Sequence, residues 1–224
     1  LREFPQVTGI MVGEGEVTFR EVLDHYVREA ESTGQSEQQP ESDSTEQQAA
    51  DRMGTVAGKS VAERFGQIPG LCLASGYTAP RELTDLTTLP FLYEDMEPFT
   101  NRIIYYETSR GCPYRCSYCL SSIDKKVRLR DIDVVKRELQ FFLDQNVKQV
   151  KFIDRTSNCD HKHAMEIWEY IYKHDNGVTN FHFEISADIL REEEIALLNR
   201  FRPGLAQLEI GVQSTNPETI RAIH

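Results

Sequence analysis

The chain has 224 residues, with 39% hydrophobic and 27% charged side chains, the profile of a globular protein long enough for one large domain or two small ones. Its apolar runs break within a few residues, as at Lys136, Arg137 and Glu138, far short of the roughly 20 residues that cross a bilayer, and no basic-then-apolar leader opens it. The net charge of −11 argues against a nucleic-acid partner, although much of it is local: seven acids and no base lie between Glu29 and Asp51.

In chain order, an apolar strand over 7–12 passes through Gly13-Glu14-Gly15-Glu16 into an amphipathic helix from Thr18 to about Arg28. Residues 31–58 are rich in Glu, Gln and Ser, bury too little apolar surface to offset the entropy of ordering, and are expected to be a disordered linker. Residues 59–100, punctuated by Gly70, Gly76, Pro80, Pro90 and Pro98, read as a connector with a small hairpin. From residue 101 strands and helices alternate, with strands predicted at 103–107, 147–153, 181–186 and 205–212 and helices at 132–145, 162–174 and 191–201. The connections are too long for hairpins, so the strands pair in parallel and the class is α/β. Asn216 and Pro217 open a last helix that is still running at His224. That, and a start on Leu1, make both ends look cut.

Five cysteines, at 72, 112, 116, 119 and 159, are an odd count without a secretory leader, which points to reduced thiols or metal ligands and to a cytoplasmic protein. Cys112, Cys116 and Cys119 sit just past the first parallel strand, where α/β folds place their sites. A zinc site takes four ligands and an iron–sulfur cubane four thiolates; three thiolates leave one iron open to a reactant. Cys159, His161 and His163 form a looser trio, whose spacing fits incidental placement better than ligation. Cys72, in an apolar stretch, reads as a small buried hydrophobe.

With Tyr118 as the aromatic before the last cysteine, residues 105–119 resemble the signature of the radical S-adenosylmethionine (SAM) superfamily. The resemblance implies a [4Fe-4S] cluster on Cys112, Cys116 and Cys119, SAM on the open iron, and reductive cleavage of SAM to a 5'-deoxyadenosyl radical. FHFEIS at 181–186 and LEIGVQSTN at 208–216 look like strands of members related to coproporphyrinogen dehydrogenases and to cobalamin-associated members. That likeness implies that Glu184 accepts a hydrogen bond from the SAM ammonium and that Gln213 bonds the ribose. The glycine-glycine-glutamate pattern of many members is absent after the second strand, where the chain reads Phe152-Ile153-Asp154-Arg155-Thr156-Ser157-Asn158; Asp154 and Arg155 are expected to face the substrate instead. In the basic run Lys125, Lys126, Arg128 and Arg130, Arg130 is the best placed to neutralise the SAM carboxylate, the alternative being a solvated basic loop.

The amino-terminal unit resembles the last strand and helix of a cobalamin-binding domain. As a whole the chain most resembles the B12 (cobalamin)-binding-domain-containing radical SAM proteins of uncharacterised function. The implied architecture is a partial (βα)6 TIM-like barrel at 101–224, with about four βα units present. It follows the C-terminal remnant of a flavodoxin-like cobalamin-binding domain at 1–30, the linker at 31–58 and the connector at 59–100. The implied cofactors are the cluster and SAM, with cobalamin and methyl transfer where that domain is functional. The implied partners are a small-molecule substrate and an electron donor such as flavodoxin or ferredoxin. Two alternatives stand beside this reading: a tRNA-modifying or porphyrin-oxidising radical SAM protein without cobalamin, and a non-catalytic iron–sulfur or zinc module.

Overall fold

The computed structural model describes residues 4, 6–32, 60–124 and 126–223. From residue 33 on, the acidic linker lies outside the described residues, as does Lys125. The chain divides into two compact units, with the boundary between Thr84 and Asp85.

In the amino-terminal unit, β1 (Gly9–Met11) pairs antiparallel with β2 (Leu71–Leu73), which pairs antiparallel with β3 (Gly76–Tyr77). Helix α1 (Glu16–Ser32) runs on past the predicted end at Arg28, because Glu29, Ala30 and Glu31 are helix-compatible, and the Ser32 hydroxyl donates to the Glu29 carbonyl in its last turn. The short helix α2 (Val61–Phe65) starts with a reciprocal cap between Ser60 and Glu63. Phe65, Leu71 and Leu73 form a small core with Val22 and Tyr26. The buried Arg64 guanidinium sits over the rings of Tyr26 and Phe65 and donates to Glu29 at 2.6 Å.

The second unit is built on a parallel sheet in the order β4 (Ile104–Tyr106), β7 (Gln149–Phe152), β8 (Asn180–Ile185) and β9 (Ala206–Ile210). The two-residue strands β5 (Ser109–Arg110) and β6 (Arg128–Leu129) pair antiparallel outside it. Helices α3 (Ile132–Asp144), α4 (His161–Lys173) and α5 (Glu192–Leu198) link the parallel strands, and α6 (Pro217–Ile223) follows β9. Asp131 caps α3 by accepting from the backbone N–H groups of Asp133 and Val134, and Asn216 accepts from those of Glu218 and Thr219.

One face of the sheet is apolar and closed. Val150, Phe152, Phe181 and Phe183 pack there with Phe142 of α3 and Trp168 of α4, all nearly solvent-free, and each fully buried side chain of this size stabilises by about 1.5–3 kcal/mol. The rings of Phe152 and Phe183 lie 4.4 Å apart. Phe91 and Tyr93, from the sequence-predicted connector, pack on the same core. Gln149 and Lys151, which interrupt the apolar run of β7, occupy the alternate positions and face the other side, as the two-residue repeat of a strand requires. That opposite face carries Tyr105, Lys151, His182, Glu184 and Glu209 on four adjacent strands.

Candidate active site at the carboxyl ends of the strands

The cysteine segment leaves the sheet at β4, and β6 pairs back on β5 outside the sheet, so that the loop carrying the three cysteines is closed at its neck by the β5–β6 pair. Gly111 sits at the neck with φ +98°. A Cβ there would meet the backbone oxygen of Lys126 at 2.4 Å, so only glycine permits this approach. The Cys112 N–H donates to the Asp124 carbonyl at 3.0 Å, Cys119 N–H to the Cys116 carbonyl at 3.1 Å, and Ser117 N–H to the Ile223 carbonyl at 3.1 Å. Cys112 is buried, whereas Cys116 and Cys119 are half-buried. Tyr118 is exposed; lost water contact and the neighbouring Cys116 and Cys119 push its phenol above its ordinary value.

The bed beneath this loop is polar. Asp154, at the end of β7, turns away from solvent and accepts from the Thr108 N–H at 2.7 Å, the Ser109 N–H at 2.9 Å and the Thr108 hydroxyl. Thr156 Oγ1 lies 3.6 Å from Cys112 Sγ. Ser157 N–H donates to the Glu184 carbonyl at 2.8 Å, and the Asn158 amide both donates to the Ser186 carbonyl and accepts from its N–H. The expectation that Asp154 faces the substrate is therefore corrected: its carboxylate is 2% exposed and committed to the backbone of the cysteine segment. Burial pushes Asp154 up to about 6, against the pull of the Thr108 and Ser109 hydrogen bonds. Its raised value means that the folded state holds the proton more tightly than the unfolded chain, whose ordinary value is 3.8. The resulting stabilisation is complete below that value and lost as pH rises through about 6. Between pH 4 and 7 the native protein is expected to lose on the order of 2–3 kcal/mol relative to Asp154→Asn. Urea midpoints of the two proteins against pH check this, and a pH-independent difference would refute it.

Arg130 also lies elsewhere than expected. Its guanidinium is buried, donates to both Glu138 oxygens at 2.8 and 2.9 Å and stands 5.7 Å from the Tyr106 ring. Tyr106 donates to the same carboxylate at 2.5 Å, and burial together with Glu138 pushes that phenol far above its ordinary range. A guanidinium held in this way braces the sheet against α3 and is not presented to a ligand carboxylate.

Glu184 is half-buried near the end of β8, with the Lys151 ammonium 3.8 Å away. Lys151 is closer to Glu209, at 3.1 Å, and that hydrogen bond holds its ammonium up and the Glu209 carboxyl down. His182 Nε2 is 3.0 Å from the same carboxylate without the alignment of a hydrogen bond. Gln213, just past β9, adopts φ +62°, and its amide folds over Gly211, where a Cβ would stand 2.2 Å from Nε2.

The looser trio is taken apart. His161 Nδ1 bonds to the buried Glu194 at 2.9 Å, His163 is buried on the inner side of α4 with its ring held below the usual range by that burial, and Cys159 is half-buried, its thiol pushed up by desolvation. Cys72 is half-buried in β2. Among the described residues no group of three or more His, Cys, Asp or Glu side chains stands gathered around a metal position. The fit to an iron–sulfur cluster thus rests on the donor chemistry, three soft thiols on one loop with a glycine-closed neck.

Residues 106–224 match the family model described as the radical SAM superfamily, more than half of the chain. The chain belongs to the radical SAM superfamily. The family match implies a [4Fe-4S] cluster and SAM as the cofactors of this domain. An uncharacterized methyltransferase, PH0819, of Pyrococcus horikoshii is 26% identical over 174 residues, which are 75% of this chain and 32% of that protein. An anaerobic magnesium-protoporphyrin IX monomethyl ester cyclase of Rubrivivax gelatinosus is 29% identical over 119 residues, 52% of this chain and 21% of that one. The chain thus spans a third or less of these curated relatives. Among solved structures, the fold is like that of the radical SAM methyltransferase TsrM from Kitasatospora setae, at 18% identity. The TM-score is 0.63 over 96% of this chain and 39% of TsrM in the form with tryptophan substrate and a SAM analogue. It is 0.53 over 68% and 34% in the form with cobalamin and a [4Fe-4S] cluster. Among the described residues no helix is long and apolar enough to cross a membrane.

Lys151, His182, Glu209 and the polar bed of Thr108, Thr156 and Asn158 were not singled out from sequence as site residues. The one local signal for the first three is a polar residue at every second place of an otherwise apolar strand.

Proposed function

We propose that Cys112, Cys116 and Cys119 hold the [4Fe-4S] cluster of an enzyme that cleaves SAM reductively and passes the radical to a small molecule. The single observation that carries this reading is the glycine-necked loop bearing three thiols at the carboxyl edge of a parallel sheet. Cys112, Cys116 and Cys119 would hold the cluster, which when bound would supply the one electron needed to cleave a carbon–sulfur bond of SAM into methionine and a 5'-deoxyadenosyl radical. The chain's own residues bind and orient. Glu184 is suited to accept from the SAM ammonium, because a fixed carboxylate favours a cation over water. The Gln213 amide is suited both to donate to and to accept from ribose hydroxyls, and Tyr118, beside Cys116, would flank the bound cofactor. Arg130 is left out of the binding set, since Glu138 occupies it. A one-electron donor such as flavodoxin or ferredoxin completes the cycle.

For the second cofactor, our reading is a cobalamin-dependent methyl transfer, supported by the methyltransferase name of the Pyrococcus relative and the TsrM fold. The β1–α1 unit with its Gly13-Glu14-Gly15-Glu16 turn would be the end of a cobalamin-binding domain, and residues 101–224 about four units of a partial barrel. Exposed Phe19, Leu23 and Val27, at four-residue spacing along α1, give that helix an apolar face of the kind a larger α/β domain covers. The Rubrivivax relative favours a second reading, oxidative chemistry on a porphyrin-like substrate.

After anaerobic reconstitution and reduction in the presence of SAM, the native chain is expected to release 5'-deoxyadenosine and Cys116→Ala to fall at least about 100-fold. Undiminished release from Cys116→Ala would overturn the assignment. Added cobalamin, followed by its absorbance on the purified chain, separates the two readings: retention supports methyl transfer.

A further inference from the structure

We propose that Asp154 is the positioning residue of the cysteine loop, and that residues 154–158 form a clamp setting Cys112 relative to the end of β8. This rests on the proposed role of Cys112, but its structural half stands independently. The interior of this unit is mainly aromatic and aliphatic, yet at the carboxyl end of β7 it gathers four polar side chains, Thr108, Asp154, Thr156 and Asn158, none more than 5% exposed. Burying polar groups is costly unless each is satisfied, and apolar fill would stabilise the fold more simply. What hydrogen bonds add is direction.

Apart from the Thr156 hydroxyl, which also donates to the Arg155 carbonyl, the side-chain bonds of the group lead to one of two places. Asp154 takes two consecutive backbone N–H groups and one hydroxyl from Thr108 and Ser109, four and three positions before Cys112. Thr156 meets the Cys112 thiol. Ser157 and Asn158 hold the backbone of Glu184 and Ser186 at the end of β8. One short turn thus touches both the loop that carries the thiols and the strand end that carries Glu184. Asp154 stands near the place of the missing glycine-glycine-glutamate pattern, but its carboxylate works inward on the protein.

The test uses the full chain without cluster, reduced and anaerobic. Thiol alkylation by iodoacetamide is followed peptide by peptide, with Cys72 of the amino-terminal unit as internal control. A buried thiol reacts from locally opened states, so Asp154→Ala is expected to speed Cys112 alkylation by at least about tenfold, as loss of two or three hydrogen bonds requires. Asp154→Asn should return the rate to within about threefold of native, because its amide oxygen still accepts from both backbone N–H groups. Cys72 should not change. In parallel, iron per chain after reconstitution and the electron paramagnetic resonance signal of the reduced cluster should fall in Asp154→Ala and recover in Asp154→Asn. A native Cys112 rate in folded Asp154→Ala would overturn the clamp. If that variant does not fold, Thr108→Val, which removes only the hydroxyl, should still speed Cys112 by about threefold, and no change there would overturn it equally. A native chain that takes up no iron would sink the proposed function while leaving alkylation to decide the clamp.

Discussion

Replacing Glu138 with alanine is expected to destabilise the carboxyl-terminal unit by about 3–5 kcal/mol. The carboxylate is the acceptor for both terminal nitrogens of the buried Arg130 guanidinium and for the Tyr106 hydroxyl, so its removal strands a charge and a phenol inside the protein. The cost lies in the uncompensated groups more than in the lost attraction. The triple replacement Arg130→Met, Glu138→Leu and Tyr106→Phe, which removes the polar set together, should therefore recover most of the loss. Urea unfolding followed by the fluorescence of the single tryptophan, Trp168, itself 1% exposed, measures both. A loss below about 1 kcal/mol for Glu138→Ala, the range of an exposed ion pair, would show that the triad is not the buried brace described.

Gly111→Ala is expected to disable the cysteine loop. Two penalties act at this position. A left-handed backbone costs a non-glycine residue about 1–3 kcal/mol. The new Cβ would also meet Lys126 backbone atoms at 2.4 and 2.9 Å, which no rotamer change relieves. The neck would open, and iron uptake on reconstitution is expected to fall below about half of native. Gly177→Ala is the control: it too has a positive φ, +75°, but nothing stands within 4 Å of its Cβ. It should show the backbone penalty and normal iron uptake. Equal iron loss in both variants would refute the collision as the cause.

Most of the carboxyl-terminal fold was legible in the sequence because its signals are local. Ile132, Val135, Leu139 and Phe142 recur at helical spacing and produce α3, Asp131 and Asn216 cap as their side chains dictate, and connection length alone makes the sheet parallel. Element ends were less legible: the strand predicted over 205–212 is confined to Ala206–Ile210, since sheet pairing, set by β8, decides where a strand stops. In the amino-terminal unit, the strand of 7–12 and its helix were visible, but the antiparallel partnership of β1 with β2 joins residues some sixty positions apart and leaves no trace in either segment.

The three cysteines and their neighbouring tyrosine were determined by the sequence itself, because spacing on one loop is a property of the chain. What only the tertiary structure decided is where the charged side chains point. Arg130 was drawn to Glu138 across the turn between β6 and α3, Asp154 to the backbone of Thr108 and Ser109, His161 to Glu194 of α5, and Lys151 to Glu209 two strands away. A charge removed from water binds whichever partner the fold brings within reach. That partner is chosen by the packing of distant elements, which residue type and spacing do not encode.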